Sequence, residues 1–163
     1  MTTTGGFTPE ELLEQERLLE LPSFDRGDAV DLGLLMVELA RSRSLPVVIE
    51  IRDRAQVLFR AALPGSSVDN DGWVARKTRV VEELGHSTLY ERVRHEALGT
   101  TFEEATGLPE ATHAAHGGGF PLVVVGEGRV GVVVVSGLPQ VQDHELVIEG
   151  LTSLLGAWDS RHR

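Results

Sequence analysis

Residues 113–144 read HAAHGGGFPLVVVGEGRVGVVVVSGLPQVQDH. A glycine triplet enters an apolar run, a short turn reverses it, and a second valine run follows. Ser136-Gly137-Leu138-Pro139 then leads into a last helix. Val123, Val124 and Val125 form the first run, and Val132 to Val135 the second. Valine is stiff at χ1 and suits a pleated surface. Gly126-Glu127-Gly128-Arg129 supplies a tight hairpin turn, because glycine reaches positive φ without steric cost. The runs are continuous rather than alternating, which predicts strands covered on both faces. Each fully buried valine contributes roughly 1.5–3 kcal/mol, so this hairpin is a large part of the core.

Two motifs in the stretch are decoys. Gly126, Gly128 and Gly131 spell the dinucleotide fingerprint, but that motif needs a following helix to hold a pyrophosphate, and a β-branched run follows here. His116-Gly117-Gly118-Gly119 is similar to an esterase oxyanion loop, but the chain has no G-x-S-x-G elbow to carry the nucleophile.

The 163 residues suffice for one domain with its own core. Fifteen basic against 25 acidic residues give a net charge of −10. That balance disfavours nonspecific binding to nucleic acid or to an anionic membrane. Cysteine is absent, which excludes disulfides, thiolate ligands and a cysteine nucleophile. The opening MTTTGGFTPEE has neither a basic n-region nor an apolar h-region, and no apolar run is long enough for a bilayer. A cytoplasmic protein is expected.

Residues 1–7 are expected to be disordered, with a single domain over 8–159. Thr8-Pro9-Glu10-Glu11 is a capping box for a helix of about 9–20. A second helix over about 25–43 is apolar around most of its circumference, which predicts near-complete enclosure. Gly33 in its middle predicts close approach of another element. Residues 47–52 and 56–61 read as a hairpin. Asp69-Asn70-Asp71 caps a helix of about 72–84, and Asp69 and Asn70 can instead sit at a pocket mouth. Thr88-x-x-Glu91 and Thr101-x-x-Glu104 open two more helices, the second ending at Gly107, and residues 108–115 carry no assignment. A last helix covers about 141–158.

Hairpins cannot build a parallel sheet, so the fold class is α+β: an antiparallel sheet from two hairpins, flanked by helices. If those helices cover one face only, two-sided burial of the valines needs a second subunit. A homo-oligomer is therefore expected.

FDRGDAVDLG from residue 24, LF at 58–59, DNDGWVARKTRVV from 69 and GGGFPLVVVGEGRVGVVVVSGLPQVQDHELVIEGL from 117 resemble one family. It is the haem-degrading, HbpS/GlcG-like family, in its uncharacterised-protein-family (UPF) branch, over about residues 22–155. The resemblance implies a profilin-like sheet flanked by helices, a large homo-oligomer, and haem or a corrinoid as ligand. A few relatives are linked to haem breakdown. The chain departs from the pattern at Asp53-Arg54-Ala55-Gln56, where an Asp-Gly-Gln turn is expected, and in its start, which lacks a secretion signal.

Three groups of residues are candidates for a site. Trp73, Arg76 and Lys77 share one side of a helix and suit a planar or anionic ligand, or else Trp73 packs in the core and the cations are solvated. His116 abuts Gly117 and Gly118. It is either a metal-ligating imidazole with His113 or a loop histidine bonded to backbone, and the glycines permit close approach of a ligand or a strand. Ser136, Gly137, Asp143 and His144 gather at the last helix's start. Asp143 and His144 diverge by about 100°, which suits a catalytic relay poorly and an anion-accepting loop better. No metal set and no catalytic residue is specified. The expected function is a small-molecule-binding oligomer for haem or another tetrapyrrole. The alternatives are a haem-degrading enzyme and a scaffold acting through its exposed acidic N-terminal helix.

Overall fold

The two hairpins meet edge to edge in one four-stranded sheet of order β2-β1-β4-β3, every pairing antiparallel. A computed structural model describes residues 3–162. Its elements are α1 (Pro9–Leu18), α2 (Arg26–Ser42), β1 (Val48–Asp53), β2 (Val57–Ala62) and α3 (Val68–Leu84). They continue with α4 (Thr88–Ala97), α5 (Phe102–Thr106), β3 (Gly119–Val124), β4 (Gly128–Ser136) and α6 (Gln140–Arg161). The expected α+β architecture is the one observed. Among the described residues no helix is long and apolar enough to cross a membrane.

The second valine run, on β4, is dry on both faces, and the chain does this alone; of the first run Val124 is buried, but Val125 lies past the end of β3 and is 62% exposed. Successive strand residues point to opposite sides. Val133 and Val135 pack with Ile49 and Ile51 under Leu32 and Met36 of α2 and Val147 and Leu151 of α6. Val132, Val134 and Val48 face the other way, against Val74 and Val81 of α3. All five of these β4 and β1 valines are at most 1% exposed. The burial argument for a second subunit is thereby overturned: α3 seals the face that the sequence reading left open.

Gly33 of α2 meets β2, as expected. A Cβ there would stand 2.3 Å from the Phe59 ring. Gly33→Ala is expected to cost about 1–3 kcal/mol through this overpacking, despite alanine's better helix propensity, measured as a lower unfolding midpoint in urea.

Several local expectations are corrected. The helix α2 is not enclosed, because Val30 and Leu34 are 42% and 56% exposed. The helix α3 starts earlier, with Ser67 as its N-cap residue, and the Asn70 carboxamide accepts from the Ser67 N–H at 2.8 Å. Ser87, not Thr88, caps α4. Thr88 is buried and accepts from the Gly119 N–H at 2.9 Å. Within the expected disordered start, residues 3–6 form a turn, Thr4 is 5% exposed, and Phe7 packs beside Leu12 and Leu89, because α4 and α6 offer that arm an apolar seat. Residues 1 and 2 lie outside the described residues. The unassigned 108–115 segment runs along α3, where the Ala114 N–H donates to the Arg76 carbonyl at 3.2 Å.

Candidate functional site

The helix α3 lies across the sheet and brings one of its faces to the place where β4 ends and α6 begins. Asn70, Trp73 and Lys77 are spaced i, i+3 and i+7, so they share that face. The loop after β4 brings Ser136 and Gly137, the first turn of α6 brings Gln140 and Asp143, and the loop before β3 brings His116. Together with Leu138 these residues line a cleft of ≈ 340 Å³. Six of the ten expected site residues therefore meet: Trp73, Lys77, His116, Ser136, Gly137 and Asp143.

Trp73 and His116 form one wall, edge to face, with ring centroids 5.0 Å apart. Arg76 does not line the cleft. Its guanidinium lies 4.1 Å from the Trp73 ring centroid and donates to the Gly72 and Glu110 carbonyls at 3.3 and 3.2 Å. It clamps the indole by cation–π contact, with two of its five N–H donors on these carbonyls. His116 Nε2 faces Glu110 at 3.2 Å. Burial first, and then the nearby Arg92, hold its imidazole below the usual histidine range. His116 is thus neutral at pH 7 and keeps a lone pair. His113 turns away to Glu83 at 2.7 Å, so the two histidines do not converge.

At the base, Lys77 and Asp143 form an ion pair at 3.1 Å with side chains only 3% and 2% exposed. Lys77 also donates to the Val135 carbonyl at 3.0 Å. The Asp143 carboxylate accepts from the N–H groups of Gly137 and Leu138 at 3.3 and 3.0 Å. Burial pushes Asp143 up to about 6, against the opposing pull of Lys77. Burial likewise lowers Lys77, against the pull of Asp143. The anion-accepting loop expected at the start of α6 is filled by the protein's own carboxylate, and Lys77 is neutralised by it. The cationic face expected of Arg76 and Lys77 is therefore split: Asp143 offsets Lys77, and Arg76 lies outside the cleft lining.

Gly117 and Gly118 pass behind the base rather than along it. The Gly117 N–H donates to the Gln140 side chain at 3.1 Å. A Cβ on Gly118, whose φ is +131°, would sit 2.3 Å from the Val135 carbonyl oxygen and 2.8 Å from Lys77 Nζ. Gly118 thus admits β4 and Lys77, and Gly117 admits the Gln140 backbone, 2.3 Å from where its Cβ would stand, rather than a ligand.

His144 is on the opposite side of α6. It is 1% exposed, lies between Phe7 and Phe120 at centroid distances of 6.1 and 6.0 Å, and bonds Gln15 through Nε2 at 2.7 Å. Burial lowers its pKa to about 4. The 100° divergence of neighbouring helical residues separates it from Asp143, and no catalytic trio forms. Asn70's place in the lining agrees with the pocket-mouth alternative, whereas Asp69 is not among the lining residues. Gln140 was missed, although it lies three residues before Asp143 on the same helix face. His116 also lines a second pocket of ≈ 300 Å³, together with Arg92, Phe102 and three glutamates among others.

A family model described as haem degrading protein HbpS-like matches residues 24–152. The UPF0303 protein of Streptomyces coelicolor is 54% identical over 149 residues, which cover 91% of this chain and 94% of that protein. The crystal structure of the Ybr137w protein is 28% identical, superposes with a TM-score of 0.84, and is matched over 91% of this chain and 88% of that one. The crystal structure of a PduOC:heme complex, 19% identical, shares the fold with a TM-score of 0.67 over 80% of this chain and 94% of that one. With the sheet, its flanking helices and the 24–152 match in agreement, the chain belongs to the HbpS-like family.

Proposed function

We propose that this chain is a cytoplasmic, self-associating binding protein for a flat ring, and that haem or a related tetrapyrrole is the ring. The observation that carries this reading is the neutral His116 imidazole set edge to face against Trp73 at the mouth of a cleft. A neutral imidazole suits iron, and an indole held flat by Arg76 suits a conjugated ring. The residues fit haem in this respect: His116 would supply a nitrogen ligand to the iron, and Trp73 would bear on the ring. Bound haem would bring redox-active iron to the cleft. Its carboxylates would find no free cation at the base, where Asp143 holds Lys77. The haem-degrading description of the family and the haem complex of a structural neighbour support the same ligand class.

Self-association is supported by exposed apolar side chains, Leu18 on α1 and Val30 and Leu34 on α2, rather than by the sheet.

Titration with hemin tests the ligand. The Soret band is expected to shift on binding. His116→Ala should abolish the coordination-dependent part of that shift, and Trp73→Ala should weaken binding roughly 3–10-fold. An unchanged Soret band would remove haem from consideration. Adding ascorbate in air to the loaded protein separates binding from turnover, since a pure binder keeps its spectrum.

A further inference from the structure

Ser136 ends β4 at the base of the cleft and is 3% exposed. Among the described residues its hydroxyl has no hydrogen-bond partner. A hydroxyl offers one donor and two acceptor positions, and buried ones are normally paired. The side-chain atoms sealed from solvent without a partner are Arg52 Nε and His144 Nδ1. The Ser136 hydroxyl is not one of these, so it opens onto the cleft whose wall it forms. Lys77 beside it has three N–H donors. Two are used, on the Val135 carbonyl at 3.0 Å and Asp143 at 3.1 Å. The third has no partner among the described residues, and Lys77 also lines the cleft.

The base thus offers two donors and no net charge. Asp143 offsets the Lys77 ammonium and already takes the N–H groups of Gly137 and Leu138. A ligand carboxylate bonded to Lys77 would lie beside the Asp143 carboxylate, and like charges in a poorly solvated site repel strongly. An uncharged carbonyl oxygen has two lone pairs, accepts from both donors, and meets no such repulsion.

We propose that Ser136 and Lys77 form a seat for an uncharged carbonyl oxygen borne by a flat ring, as in a lactam, with the ring against Trp73 and His116. The seat rests on the reading of this cleft as the ligand site, but it does not require haem.

Amide-detected NMR titration of the full chain with three probes tests it: 2-quinolone, quinoline-2-carboxylate and quinoline. The first should bind about tenfold more tightly than the other two, which is the scale of one well-made hydrogen bond to a partly charged donor set. It should also move the Gly137 amide. Ser136→Ala should cut the preference for 2-quinolone over quinoline to about threefold, with Lys77 still donating, and leave quinoline itself unchanged. Equal or tighter binding of the carboxylate overturns the seat, and so does a tenfold preference for 2-quinolone that Ser136→Ala leaves undiminished. The three-probe comparison on the unaltered chain decides the question even if that variant does not fold. Hemin binding with no response to any of the three overturns the seat and leaves the haem reading standing. The tenfold preference without hemin binding does the reverse.

Discussion

Lys77→Met is expected to destabilise the folded chain by roughly 3–5 kcal/mol, the usual cost of leaving one partner of a buried ion pair alone. For a chain of this size that lowers the unfolding midpoint by roughly 10 °C. The cause is the Asp143 carboxylate, 2% exposed, which would keep its two loop N–H donors but lose the cation it pairs with. Methionine fills much of the lysine's volume, so packing contributes little. The electrostatic origin has its own signature. Without Lys77 the carboxyl holds its proton to higher pH than its present value of about 6. The loss should therefore be larger at pH 8, where ionisation is forced, than at pH 5, where the neutral acid is available. Lys77→Met combined with Asp143→Asn should recover part of the loss. Recovery stays incomplete because an amide oxygen serves the Gly137 and Leu138 N–H groups less well than a carboxylate. Thermal unfolding at the two pH values checks both statements, and a loss below 1 kcal/mol or one indifferent to pH would refute the assignment.

His144→Leu is expected to change the pH profile more than the stability at neutral pH. In the folded chain His144 titrates near 4 instead of near 6.5, because burial disfavours the imidazolium. Its contribution is full above about 6.5 and is lost as pH falls towards 4, because the unfolded chain takes up the proton first. Leucine has no proton to take up. Relative to the unaltered chain, the variant should therefore gain on the order of 3 kcal/mol as pH falls from about 6.5 to 4. Asp143 runs the other way. Its folded value of about 6 stands above the ordinary aspartate value of 3.8, so its contribution is full below about 4 and is lost as pH rises to 6. Two adjacent residues on α6 thus oppose each other over nearly one window, which flattens the unaltered chain's response. Urea unfolding of both proteins across pH 4–7 checks the difference, and parallel profiles would refute it.

Much of the sheet was legible because β structure here is written in local terms. The two valine runs, the glycines at 126 and 128, and the Pro9 capping box each specify their geometry within a few residues. The caps of α3 and α4 were not legible, because competing cap residues stand side by side. Thr88 loses the role to Ser87 since its hydroxyl is bonded to Gly119, 31 residues away. The cleft was half legible. Asn70, Trp73 and Lys77 lie on one helix face by spacing alone. The Lys77–Asp143 pair spans 66 residues and turns a cationic patch into a neutral one. Nothing in the spacing announces that cancellation. The case for a second subunit failed for a related reason: periodicity shows that a strand is covered, not which helix covers it.

The self-sealed sheet separates two events that many assemblies fuse. A chain whose valines depend on a neighbour must find that neighbour before it is safe from aggregation, so its survival depends on how much of it is being made. Here α3 closes over Val132 and Val134 from within the same polypeptide. A single copy leaving the ribosome in a dilute cell can hide its stickiest surface at once, and any later joining of copies can evolve, or be lost, without putting the fold at risk.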